Sequence, residues 1–152
     1  MAQMSRDLIE TGLGWSYDAP KVARMIAHAD NVALVACDAN GLAGFAVMQF
    51  GDERGHLVLL AVQPRNQRQG VARRLLTWLV DSARVAGIAE LRLELRAGNA
   101  GARAFYRAMG FDDAGLLPGY YLQREPALRM LRVLRSPGEA ATTWQAPTLR
   151  RS

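Results

Sequence analysis

Residues 67 to 73, Gln67-Arg68-Gln69-Gly70-Val71-Ala72-Arg73, stand where an apolar run ending at Val62 breaks at Pro64 and an amphipathic pattern begins. A hydrophobic core has no use for two amides, two guanidiniums and a glycine at such a junction, but an anion does. The first turn of a helix exposes unpaired N–H groups and a partial positive charge. Glycine lets backbone approach a ligand closely, and arginine grips phosphate oxygens. A diphosphate is the natural occupant. The stretch is neither a GxxxxGK[ST] loop nor a GxGxxG turn, because Gly70 stands alone. By itself such a glycine also reads as an ordinary left-handed turn ahead of a helix.

A second group lies downstream. In "LRLELRA", residues 91 to 97, Leu91, Leu93 and Leu95 alternate with Arg92, Glu94 and Arg96, and Tyr106 follows Glu94 by twelve positions. A carboxylate and a phenol are a base and an acid if they face one cleft. Each also has an ordinary reading. Glu94 can pair with Arg92 or Arg96 on a solvated strand face, Tyr106 can be core with its hydroxyl at the rim, and Asn99 can cap a helix. His28 and His56 read as surface or rim residues, and Asp52 and Glu53 as turn residues.

The elements that must position these groups follow from periodicity and punctuation. Ser5 can cap a helix over 4–14, and Pro20 opens another over 19–29. Strands are expected at about 32–37, 42–50 and 56–63, separated by "DANG" and "GDERG". A long helix over 70–86 puts Val71, Leu75, Leu79 and Ala83 on one face and stops at Gly87. Strand 91–97 is followed by a short helix from Asn99 to near Met109. Two closing strands, "FDDAGLLPGYY" and "ALRMLRVLR", are joined by a loop after Pro118. The class is α/β, a mixed and largely antiparallel central sheet with helices on both faces.

Gln67 to Ala72 resembles the Q/R-x-x-G-x-G/A signature of the GNAT N-acetyltransferases, with Ala72 in place of the commoner glycine. "LLAVQP" before it looks like that family's fourth strand. "LELRAGNAGARAFYRAMGF" is similar to its later strand, Asn and Phe-Tyr helix. The likeness covers roughly residues 32 to 135 and is strongest to the ribosomal-protein alanine acetyltransferase branch. It implies acetyl-CoA as donor and no metal. Backbone N–H groups of residues 68 to 73 would hold the diphosphate, with Arg68 and Arg73 at its rim. Leu60, Ala61 and Val62 would bind the pantetheine amide and acetyl carbonyl, the N–H of Val62 facing the developing oxyanion. Asn99 matches a CoA-contacting asparagine. Glu94 would be the general base, through water, and Tyr106 the general acid. The amine acceptor, a protein N-terminus or a small molecule, would lie between two loops carrying Trp15, Tyr17, Tyr120 and Tyr121. Transfer would be direct, since Cys37 sits too early in the chain to carry the acyl group. The family usually opens with a strand, and here only "MAQM" precedes the first expected helix. The first strand therefore looks missing and "VALVAC" becomes an apolar sheet edge.

Composition bounds the rest. With 152 residues and 50% hydrophobic, the chain suits one domain, assigned to 1–135, with a tail over 136–152 that carries Trp144. Trp144 is expected to anchor that tail over the open edge or across a homodimer interface. One cysteine precludes an internal disulfide, and no apolar run spans a bilayer, so a reducing cytoplasm is expected. Two histidines and one cysteine make no zinc site. The net charge is +5, with Lys21 the single lysine. The arginines are scattered rather than gathered, so nucleic-acid binding is the minor alternative, beside a CoA-binding regulatory domain without turnover.

Overall fold

The computed structural model describes residues 19–121 and 125–135. The expected helix over 4–14, the question of a strand before it, and the tail with Trp144 lie outside these residues. Helix α1 spans Ala19–Ala27. Three antiparallel strands follow, β1 (Asn31–Asp38), β2 (Gly41–Phe50) and β3 (Arg54–Val62). A 3-10 turn at Pro64–Asn66 leads to α2 (Val71–Val85). Then come β4 (Glu90–Arg96), α3 (Ala100–Ala108), β5 (Asp112–Tyr121) and β6 (Glu125–Val133).

The sheet order is β1-β2-β3-β4-β6-β5. Its middle is where it matters. β3 and β4 are the one parallel pair among the described strands, and they pair only at Arg54–Glu90, Gly55–Leu91 and His56–Arg92. Beyond that joint β3 stays with β2 up to Val62, and β4 stays with β6 up to Arg96. The sheet therefore divides into two wings from residue 57 onward, and the β3 edge facing β4 presents alternate N–H and C=O groups with no strand partner.

Side-chain alternation assigns the faces. Leu75, Leu76, Leu79, Val80 and Ala83 of α2 pack with Ala46, Met48, Leu57, Leu91, Leu93 and Leu95 in the main core, which also takes Ala102, Phe105 and Tyr106 of α3. Phe45, Val47, Leu59 and Ala61 form a smaller core on the other face, with Met25 of α1 against it. The register shifts between Val47 and Met48 of β2, so β3 carries an extra residue at Val58. That bulge reverses the parity of the strand. Leu57 faces α2, whereas Leu59 and Ala61 face α1, and Leu60 and Val62 turn back toward α2.

The expected loop after Pro118 is not where the turn lies. β5 continues through Pro118 to Tyr121. Among the described strands it is an end strand, paired only with β6, and its register slips between Leu117 and Tyr121. A proline lacking N–H is tolerated at such an edge. β1 is the strand at the other end of the described sheet, with Cys37 exposed on it.

Candidate active site

A cleft of about 740 Å³ opens where the wings part. Leu60, Ala61 and Val62 form one wall, Asn66 to Arg68 and Gly70 to Arg73 the end, and Asn99, Gly101, Ala102, Ala104, Phe105 and Tyr106 the other wall. Of the residues singled out from sequence, Leu60, Ala61, Val62, Gln67, Arg68, Gly70, Val71, Ala72, Arg73, Asn99 and Tyr106 all line it.

The end wall is built by backbone. Gly70 is the N-cap of α2 with φ +79°, and Arg68 also has a positive φ of 64°. A left-handed non-glycine residue costs about 1–2 kcal/mol, so the turn is held in place by its surroundings. One tie is Gln67 Nε2, which donates to the Val62 carbonyl at 3.2 Å. Another is Asn66, whose Nδ2 donates to Asp38 Oδ2 at 2.7 Å and so anchors the 3-10 turn to the end of β1. That bond, with one from the Asn40 N–H, holds the Asp38 carboxyl below its ordinary range. Gly44 on β2 completes the seat. A Cβ there would lie 2.9 Å from the Ala61 carbonyl and 3.2 Å from Val71, so only glycine lets β2, β3 and the start of α2 approach this closely.

The first turn of α2 has neither a side-chain cap nor an acidic residue. Its leading N–H groups point out of the helix end beside Arg68 and Arg73, in the geometry that receives an anion. This fits a diphosphate. Gln69 differs from the expectation. It is absent from the cleft lining, and its Nε2 donates to the Arg65 carbonyl at 3.3 Å, which makes the side chain a brace for the turn.

On the other wall Asn99 caps α3, its Oδ1 accepting from the Ala102 N–H at 3.0 Å. The capping role is therefore observed, and the amide NH₂ is the end left for a ligand. Tyr106 stacks edge-on against Phe105 at 5.1 Å and Phe111 at 5.8 Å, which fixes its ring at the cleft.

Glu94 stands apart from this lining. It lies on the α1 face of β4, its side chain 7% exposed, with both oxygens engaged. Oε2 accepts from His56 Nε2 at 2.6 Å, and Oε1 accepts from Arg129 Nε at 3.2 Å, with Arg129 Nη2 3.1 Å from the same oxygen. The partners come from the strands on either side, β3 and β6, rather than from Arg92 or Arg96 of its own strand, the ordinary alternative for Glu94. The His56 hydrogen bond, outweighing the desolvation that opposes it, and then Arg129, hold the carboxyl below the ordinary glutamate value. From sequence His56 reads as a surface or rim residue, and nothing there singles out Arg129. The faint signal was His56 occupying a slot on the α1 face of an alternating apolar strand.

Trp15 and Tyr17 lie outside the described residues, as do the side chains of Tyr120 and Tyr121, whose backbone ends β5. No helix among the described residues is long and apolar enough to cross a membrane, and they contain no cluster of three or more His, Cys, Asp or Glu that could hold a metal.

Residues 3–111 match the family model described as the acetyltransferase (GNAT) family. A [ribosomal protein bS18]-alanine N-acetyltransferase of Escherichia coli K12 is 42% identical over 80 residues, 53% of this chain and 54% of that protein. The chain thus spans about half the length of the curated relatives it matches. The crystal structure of the ribosomal-protein-S18-alanine N-acetyltransferase from Escherichia coli superposes with a TM-score of 0.76 at 30% identity, covering 91% of this chain and 88% of that one. An aminoglycoside 6'-N-acetyltransferase complexed with coenzyme A has a TM-score of 0.74 over 91% of both chains, and at 19% identity it speaks to the fold alone.

Proposed function

This chain belongs to the acetyltransferase (GNAT) family, and from that premise we propose that it is an N-acetyltransferase moving an acetyl group from acetyl-CoA directly to a primary amine. The observation that carries the reading is the parting of β3 from β4 beside an uncapped helix N-terminus with Gly70 at φ +79°. The first offers a strand edge to an extended amide chain, and the second offers N–H groups to a diphosphate.

Acetyl-CoA supplies the activated acetyl group. The backbone of residues 68 to 73 holds its diphosphate, and Arg68 and Arg73 flank it. The strand edge at Leu60, Ala61 and Val62 binds the pantetheine arm and faces the acetyl carbonyl, where an oriented N–H is worth about 3 kcal/mol. Asn99 contributes its amide from the opposite wall. Tyr106, on that wall, delivers a proton to the leaving sulfur. Glu94 supplies the negative charge on the face where the amine arrives. Trp15, Tyr17, Tyr120 and Tyr121 form the acceptor slot, residues 1–135 the acetyltransferase domain, and 136–152 an appended tail. The site of action is the cytoplasm.

A protein N-terminus is the favoured acceptor, because a relative 42% identical over 80 residues and a structure 30% identical over 91% of the chain are both named for a ribosomal-protein alanine. Small amines are the second class. The test is a screen with acetyl-CoA read by free-thiol release. It would use peptides beginning with Ala, Ser or Met, together with polyamines and amino acids. Release with one acceptor class is expected. Binding of acetyl-CoA without release from any would leave the regulatory-domain reading instead.

A further inference from the structure

Rapid transfer requires that an ammonium group lose a proton near the joint of the two wings. The carboxylate expected to take it is poorly disposed to do so. Both Glu94 oxygens already accept hydrogen bonds, and two cationic or donor groups stabilise its charged form. A carboxylate so held is a weak base.

The imidazole beside it offers a nitrogen lone pair. A carboxylate oxygen only accepts, so the 2.6 Å contact requires His56 Nε2 to carry hydrogen. In the neutral ring the lone pair then resides on Nδ1. His56 is about a quarter exposed and is the last β3 residue paired to β4, at the vertex of the opening. We propose that His56, oriented by Glu94 and Arg129, is the proton acceptor for the incoming amine, and that Glu94 is its positioning residue. This rests on the acetyltransferase reading above. In the step, one N–H bond of the ammonium breaks and an Nδ1–H bond forms on His56, the proton passing along a chain of waters because Leu60 lies four strand residues from His56. The imidazolium keeps its Nε2–H bond to Glu94, whose charge balances it, and later releases the proton to solvent.

Among the described residues, the charged and titratable groups on the strands around His56 are few. Its own strand contributes Arg54, β4 contributes Glu90, Arg92 and Glu94, and β6 contributes Arg129. β2 presents Gln49 opposite it and has no titratable side chain. Arg54 lies 3.9 Å from Glu90, so Glu94 is the carboxylate that meets the ring.

The decisive comparison is His56→Gln, which keeps a donor for Glu94 but removes the lone pair. Turnover near neutrality should fall about 10²-fold and recover as pH rises toward the amine's own pKa. The acidic limb of the kcat/KM profile should disappear. Glu94→Gln should lower turnover less and displace that limb rather than abolish it. A readout that needs no turnover is the nitrogen spectrum of the unaltered protein, where the His56 ring should show hydrogen on Nε2 at neutral pH. A wild-type acidic limb in His56→Gln, or hydrogen on Nδ1 with Nε2 bare, would overturn the assignment. Acetylation of no amine by the unaltered protein would instead overturn the reading beneath it, a distinguishable failure.

Discussion

The two faces of the divided sheet are built from different materials. On the proposed reading the face carrying α2 and α3 would meet the donor with main chain: a left-handed glycine, an uncapped helix end and a strand edge without a partner among the described strands. Its side chains mostly hold that backbone in place, as Gln67 and Asn66 do. On the proposed reading the face carrying α1 would meet the amine with side chains, and His56, Glu94 and Arg129 come from three strands. Backbone recognition suits a ligand that does not vary. Side-chain recognition suits a proton transfer that must be tuned, since exchanging one residue changes its chemistry without disturbing the fold.

The largest effect expected outside the His56 variants is kinetic and belongs to the first face. Tyr106→Phe should lower turnover by about 10²-fold through lost proton delivery, leaving acetyl-CoA affinity unchanged by calorimetry. An equal loss of affinity would mean that the hydroxyl binds rather than reacts.

Next comes the seat of the loop. Gly44→Ala puts a methyl 2.9 Å from the Ala61 carbonyl, and backbone must shift. We expect about 1–3 kcal/mol of destabilisation by denaturant titration. Acetyl-CoA affinity should weaken as well, while the His56 ring spectrum stays as in the parent. A change in that spectrum would show the two faces to be coupled.

The smallest effect is on acid stability. Glu94 has a depressed pKa in the fold, so the unfolded chain takes up its proton more readily than the native one. The stabilisation is therefore present above the ordinary glutamate value and is lost as pH falls through the lower native value. Glu94→Gln should be less stable than the parent at neutral pH by about 1–3 kcal/mol, less than a fully buried pair would lose, because Arg129 is 35% exposed. The gap should close on acidification below about pH 4. A gap independent of pH would mean that packing, not charge, is what the glutamine disturbs.

The same contrast explains how much could be read from the chain. The donor face is local: a strand, a turn and a helix lie within residues 54 to 85, so glycine, amides and helical period mark it in order. α2 was legible from Val71, Leu75, Leu79 and Ala83, all buried as expected. Gly44 was not, because its constraint is a contact with Ala61 and Val71, which only the sheet brings near. The partners of Glu94 were hidden for the same reason. His56 and Arg129 are 38 and 35 positions away, and strand register decides which of many polar residues meet. Pro118 misled because proline punctuates central strands but not the edge strand it occupies here.

The division of labour is tested most directly by titrating acetyl-CoA into the unaltered protein, Gly70→Asp and His56→Gln by calorimetry. Gly70→Asp places a carboxylate at the mouth of the helix end, where a diphosphate would bind. Its affinity should fall about 10–100-fold, the equivalent of one or two charged hydrogen bonds. Gly70→Ala is the control for the strain of φ +79°. His56→Gln should bind within about twofold of the parent, since its role concerns the amine. Full affinity in Gly70→Asp, or a loss in His56→Gln as large as that expected for Gly70→Asp, would contradict the account.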